Sequence, residues 1–220
     1  LDWGGEPPTA VTESWNGTNW TEVSDLNTAR YASGGAGVSN TSALAFGGNP
    51  ISGLTESWNG SNWTEVADLN TAFGGEPTRN ATEVWNGSSW TAVSNLNTGR
   101  AGAFSAGASS TSALCSGGAT ATAVVANTEL WNGSSWTETT DINVTRYIGA
   151  TSNTGTASSA INFGGTIPPG SNSGSTEEWI GAGADIGAWS TGANLNTART
   201  QAGAAGNATA ALVFGGNGDP

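Results

Sequence analysis

One phrase recurs five times along this chain, and self-similarity at that scale decides the architecture before any single residue is weighed. It reads Thr-Glu-Ser-Trp-Asn-Gly at residues 12–17, returns at 55–60, 82–87 and 128–133, and is echoed loosely at 176–181. A second phrase, an apolar residue or two and then Gly-Gly, precedes each copy. It falls at Gly4-Gly5, Gly47-Gly48, Gly74-Gly75, Gly117-Gly118 and Gly164-Gly165, and once more at Gly215-Gly216. Units this small cannot bury an apolar face alone, so they must stack or form a ring.

Composition then removes several classes. The 34 glycines would suit a disordered chain, but 11 tryptophans recurring in register do not. With 220 residues, folding can bury about 70–75% of the unfolded surface. The positive charge is five arginines, with no lysine or histidine, and 17 acidic residues bring the net charge to −12. That balance disfavours nucleic acid or an anionic membrane as partner. Neither a membrane span nor a signal peptide is evident, so no membrane insertion is expected. The chain opens without Met inside a strand phrase, which suggests a piece of a longer protein. Cys115 has no second cysteine to pair with and is expected as a small buried strand residue.

Each full unit reads as four short strands. In the second copy these are a small-residue strand a (30–38), strand b (42–46), strand c (55–58) and strand d (63–66). Short apolar and β-branched runs closed by Asn-Gly and Gly-Gly fit strands, and no helical period occurs. Asn-Gly between c and d is a hairpin signal because both residues tolerate positive φ. It lies between Trp15 and Trp20, Trp58 and Trp63, Trp85 and Trp90, and Trp131 and Trp136, which places each pair across a hairpin. In the fifth unit the loop between Trp179 and Trp189 is longer and lacks Asn-Gly. The NGS and NGT triplets also match glycosylation acceptors, but turn chemistry accounts for them. Side-chain size grows from Gly, Ala and Ser in strand a to Trp in c and d, a taper suited to radial packing and pointless in a linear solenoid.

Gly-Gly after an apolar strand, then Glu with an aromatic, then Trp, then Arg, resembles the kelch repeat of β-propellers. The matching positions are Glu13, Trp15, Trp20 and Arg30; Glu56, Trp58 and Trp63; Glu83, Trp85, Trp90 and Arg100; Glu129, Trp131, Trp136 and Arg146; and Glu177, Trp179, Trp189 and Arg199. Trp stands where kelch units usually have Tyr, and the second aromatic comes sooner. The wording resembles kelch-like arrays in virion or tail-associated proteins of marine tailed phages. The resemblance implies an all-β, kelch-like propeller of about five four-stranded blades in one domain, 1–220, with repeats starting near 4, 47, 74, 117 and 164, and a larger or incomplete ring as the alternative. Residues 199–216 would pair with the N-terminal strands to close the ring. The second unit is short, because Asn70-Thr71-Ala72 runs straight into Phe73-Gly74-Gly75. Either one blade lacks its inner strand or the chain as given omits a piece.

Repetition argues against an active site. The five equivalent glutamates and the four arginines after strand d are expected to tie neighbouring blades together, leaving Arg79 as the arginine outside the scheme. With no His and one Cys, the usual catalytic triads and common zinc or copper sites are excluded, and no cofactor is expected. Glu177 and Glu178 are adjacent in a strand and face opposite ways, so they cannot flank one glycosidic bond. No calcium loop of the DxDxDG kind exists. What varies is the b–c loops, and loop tips on a fixed scaffold are where binding resides. Pro50, Ile51, Arg79, Asn80, Thr166 and Asn172 are the candidate ligand-facing residues. The expectation is a non-catalytic structural or adhesive module at a virion surface or outside the cell, with virion or surface proteins and a host glycan or receptor as partners. The alternative is a cellular lectin-like or protein-interaction scaffold, whose exposed tryptophans would stack on sugars.

Overall fold

The computed structural model describes residues 1–72, 79–152, 156–181 and 187–218. Every regular element among them is a β-strand. Two compact units are formed, Leu1–Glu76 with Glu83–Ala92, and Pro77–Thr82 with Val93–Pro220.

In the first unit β1 (Asp2–Trp3), β2 (Thr12–Trp15) and β3 (Trp20–Val23) make a three-stranded sheet. A four-stranded sheet follows in chain order: β4 (Gly34–Ser39), β5 (Ser42–Phe46), β6 (Thr55–Trp58) and β7 (Trp63–Val66). A two-stranded hairpin, β8 (Thr82–Trp85) with β9 (Trp90–Val93), has its end residues Thr82 and Val93 in the second unit. All pairings are antiparallel, and the bc register sets Ala43 opposite Trp58, Ala45 opposite Glu56 and Phe46 opposite Thr55. The hairpins place Trp15 opposite Trp20 and Trp58 opposite Trp63, with ring centroids 5.5 and 5.4 Å apart. Such pairs add about 0.5–1.5 kcal/mol beyond area burial. Only the glycine of each Asn-Gly takes positive φ, 96° at Gly60. The asparagine works through its side chain instead, Asn59 Oδ1 accepting from the amides of Ser61 and Asn62 at 3.0 and 2.9 Å. Leu26, Ala43, Ala45, Trp58 and Trp63 form the core, with Trp3 packed against it.

In the second unit β10 (Phe104–Ser109), β11 (Ser112–Ser116), β12 (Thr128–Trp131) and β13 (Trp136–Thr139) repeat the four-stranded sheet. The next sheet is β14 (Ala150–Thr151), β15 (Ser159–Phe163), β18 (Thr176–Ile180) and β19 (Ala188–Thr191), with the short hairpin β16 (Thr166–Ile167) and β17 (Ser171–Asn172) inserted in its bc loop. The last segment gives β20 (Arg199–Thr200) paired with β23 (Asn217–Gly218), and β21 (Gly203–Asn207) paired with β22 (Ala210–Phe214). Two cores form, one around Trp179, Trp189, Leu114 and Ile142, the other around Phe163, Ala150 and Ala204.

The expected bounds of strands b, c and d in the second copy coincide with β5, β6 and β7. Strand a starts at Gly34, not at residue 30. Arg30 and Tyr31 make isolated bridges, and Ala32 at φ 51° breaks the extended chain. The same kink recurs two residues after each later repeat arginine, at Gly102, Ile148 and Gln201. Sheets of three or four strands number four among the described residues, so the blade count is four and not about five. Among the described residues the short second repeat supplies only the β8–β9 hairpin, because the run that would make strand a and part of b is missing from the sequence. The expected pairing of residues 199–216 with the N-terminal strands is not among the strand pairings of the described residues. The b-strand edge of β2 already carries β1, and β22 pairs with β21 in a sheet of two. Gly74-Gly75 with Phe73, residues 153–155 of the third small-residue run, and residues 182–186 of the long hairpin loop lie outside the described residues.

The small residues of strand a are a packing requirement. A Cβ at Gly37 would stand 2.6 Å from the Ser42 carbonyl oxygen and 2.9 Å from the Ala43 Cα, both backbone atoms of β5. Gly37→Val is therefore expected to destabilise by about 1–3 kcal/mol, read as a lowered urea midpoint with the slope unchanged.

Candidate functional site

Three of the repeated acids and three of the arginines assemble into latches between successive sheets. In the first unit the segment 26–30, Leu-Asn-Thr-Ala-Arg, wraps the carboxylate of Glu56 on β6. Glu56 Oε2 accepts from the Asn27 amide at 2.7 Å and from Asn27 Nδ2 at 2.8 Å. Its Oε1 accepts from the Thr28 amide at 3.3 Å and Arg30 Nη2 at 2.5 Å. Arg30 Nη1 spans the next sheet's bc loop, donating to the carbonyls of Gly47 and Leu54. The second unit repeats this twice. Asn97, Thr98 and Arg100 hold Glu129, and Asn143, Val144 and Arg146 hold Glu177.

Glu56, Glu129 and Glu177 are at most 1% exposed. A carboxylate so far from water is tolerable only when paired and fully hydrogen-bonded. The cradle supplies both the charge and the donors. Burial pulls the Arg146 guanidinium below its ordinary value, and Glu177 opposes that shift.

A second latch lies beside the first and was not foreseen. In four of the five d strands the Trp donates Nε1 to the Thr that begins the c strand of the preceding repeat. Trp63 reaches Thr12 and Trp90 reaches Thr55 in the first unit; Trp136 reaches Thr82 and Trp189 reaches Thr128 in the second, at 3.0–3.2 Å. The c-strand Trp residues serve their own sheet, Trp58, Trp131 and Trp179 donating to carbonyls of the a–b turn. Trp58, Trp63, Trp131, Trp179 and Trp189 are buried, and Trp85, Trp90 and Trp136 half-buried. Stacking on a sugar is closed to the buried five. Trp15 and Trp20, 42% and 44% exposed, are the exception.

Three repeat positions lack the full latch. Glu83 accepts from Asn70 and Thr71, and no arginine pairs with it among the described residues. Glu13 is exposed and has no arginine among the described residues. Arg199 donates Nη1 to the Gly215 carbonyl at 2.9 Å, as its counterparts do, but no carboxylate meets its Nη2 among the described residues. The cradle asparagines and the c-strand threonines were missed from the sequence, although both recur once per repeat.

The loop candidates stay apart from this machinery. Pro50 and Ile51 are exposed in the b–c loop of the first unit. In the second unit Arg79 and Asn80 have exposed side chains on a segment whose carbonyls accept from the Arg100 and Leu96 amides. Thr166 and Asn172 are Cα partners in the β16–β17 hairpin and half-buried. Thr166 Oγ1 bonds Thr200 Oγ1, and Asn172 Nδ2 reaches the Asn217 carbonyl at 3.4 Å. Residues 76–78 of the intervening variable loop lie outside the described residues. No cluster of three His, Cys, Asp or Glu suited to a metal ion occurs among the described residues, and no helix there is long and apolar enough to cross a membrane.

No protein-family model and no curated protein matches the chain. Among solved structures it is similar to that of YjhT, a propeller, with a TM-score of 0.69 and 14% identity over 98% of this chain and 86% of that one. At this identity the likeness shows the fold alone, and that fold is a β-propeller of four-stranded sheets.

Two outcomes follow from the latches and the strands that carry them. Glu129→Ala, which strands Arg100 in a buried site, is expected to cost about 3–5 kcal/mol by urea denaturation, whereas Glu13→Ala shifts the midpoint little. Cys115 is buried, and that burial pushes its thiol up to about 11. It should therefore resist alkylation at pH 8 in the folded chain and react at once in denaturant.

Proposed function

We propose that the chain is a non-catalytic display module of kelch type, the propeller of a phage virion appendage such as a fibre, tail or capsid-decoration protein. Its place is the virion surface or the extracellular space, and its partners are other virion or surface proteins and a host glycan or receptor met by the loop tips. The observation that supports this reading is where the polar chemistry goes. Three of the five repeat glutamates and three of the five arginines are consumed in buried pairs between sheets. The residues that vary from repeat to repeat, Pro50, Ile51, Arg79 and Asn80, are exposed on loops of that frame. A rigid scaffold presenting unlike loops suits recognition better than turnover. The wording of the repeat supports the phage source.

A cellular lectin-like scaffold is the second reading, and one observation favours it, the exposed Trp15–Trp20 pair. The two readings separate on which residues bind. On a glycan array and on host cells, Arg79→Ala with Ile51→Ser is expected to lower binding at least tenfold while Trp20→Ala leaves it unchanged. The reverse pattern supports the lectin, and absence from purified particles by mass spectrometry together with no binding to any surface defeats the appendage reading.

A further inference from the structure

The dipeptide Asn-Gly opens four turns of this chain, at 16–17, 59–60, 86–87 and 132–133, and it is a dipeptide that can modify itself. Glycine has no side chain to keep its amide nitrogen from attacking the carboxamide carbon of the asparagine before it. By sequence the four sites are nearly equal, and 16–19 differs from 59–62 only in Thr18 for Ser61. In every turn both asparagine and glycine are exposed to water. None of the four glycine amides has a hydrogen-bond partner among the described residues, and each asparagine amide donates to the carbonyl three residues on at 3.2 Å.

The turns differ in how firmly the carboxamide is held. Ring closure brings its carbon against the glycine nitrogen, so its oxygen must first leave the donors that fix it over the turn, a local opening. Asn59 Oδ1 accepts from two backbone amides and Ser61 Oγ, and Asn132 Oδ1 from two amides and Ser134 Oγ. Asn86 Oδ1 has the same set with Ser88 Oγ, and its Nδ2 also reaches Ser89 Oγ at 3.3 Å. Asn16 Oδ1 accepts from the amides of Thr18 and Asn19 at 2.9 Å, with no third donor among the described residues.

Support from the sheet differs in the same direction. In the four-stranded sheets the b strand backs the c strand up to its tryptophan, Ala43 opposite Trp58 and Ala113 opposite Trp131. The a–b turn then lies against the glycine. A Cβ on Gly60 would stand 3.5 Å from Thr41, and one on Gly133 would stand 3.4 Å from Thr111. By contrast β1 backs β2 only as far as Glu13, and β8 has β9 as its one strand partner among the described residues. A Cβ on Gly17 or Gly87 would meet nothing within 4 Å. Of the four asparagines, only Asn16 lacks both restraints.

We propose that Asn16 is a deamidation site, the turn at which this chain modifies itself. The Gly17 nitrogen bonds to Asn16 Cγ and the Cγ–Nδ2 bond breaks. Nδ2 leaves as ammonia, carrying the proton that the glycine amide gives up. Water then opens the five-membered imide at either carbonyl, leaving an aspartyl or an isoaspartyl residue at position 16. Either product adds a negative charge beside the exposed Trp15–Trp20 pair. The isoaspartyl form also puts an extra main-chain atom into the loop that sets those two rings opposite one another.

The experiment is peptide mapping by mass spectrometry of the whole folded chain held at pH 8, with the same chain in guanidinium chloride as reference. In denaturant the four sites should convert at similar rates. In the folded chain position 16 should convert at least about tenfold faster than 59 and 132, the combined effect of a hydrogen bond and a packing contact, with 86 in between. Thr18→Ser, which gives this turn the residues of 59–62, should slow position 16 about two- to tenfold in the folded chain and leave its rate in denaturant unchanged. Equal rates at the four sites in the folded chain overturn the proposal, as does a lead for 59, 86 or 132. A lead for position 16 that persists in denaturant also overturns it, because the sequence and not the fold then sets the rate. A Thr18→Ser chain that converts as fast as wild type when folded overturns the role given to the third donor.

Discussion

The fold rests on a carboxylate that no repeat can bury by itself. A glutamate taken fully out of water costs several kcal/mol unless a cation and enough donors meet it. In this chain those groups come from a five-residue turn belonging to the preceding repeat. Glu56, Glu129 and Glu177 each receive an asparagine amide and side chain, one further backbone amide and a guanidinium. A repeat is therefore incomplete until its neighbour is in place, which is the physical content of cooperativity in repeat proteins. The indole-to-threonine bond makes the same demand in the apolar half of the junction.

This arrangement separates a repeated frame from variable loops. Three glutamates and three arginines are spent on holding sheets together, and five tryptophans are buried in cores. What remains exposed and unlike from one repeat to the next is the b–c loops. The inserted β16–β17 hairpin shows how far such a loop can be elaborated while Arg146 and Glu177 keep the pair formed by Arg30 and Glu56.

Strands b, c and d could be read from the sequence because their ends carry strong local signals. Asn-Gly supplies one positive φ and one side-chain cap, and Gly-Gly closes the b strand. Strand a was misread at its start, since nothing local shows that Ala32 or Ile148 enters the left-handed region; that kink is imposed by the bridges flanking the arginine. The arginine–glutamate pairing was legible as repetition, but Asn27, Thr12 and their equivalents passed as ordinary turn and strand residues. Their partners lie 29 and 51 positions away, and propensity carries no record of such distances. The exposure of Trp15 and Trp20 was equally hidden. Their wording matches that of the buried pairs, and only the neighbours differ.

The sequence alone determined the kind of unit, its four-strand order, the facing of its tryptophans and the absence of histidine chemistry, because each follows from local turn geometry, periodicity or composition. The tertiary structure decided how many sheets are complete, which acids are buried and which tryptophans are covered. These depend on what each repeat meets next to it, and an identical phrase of residues is core or surface according to whether a neighbour is there to cover it.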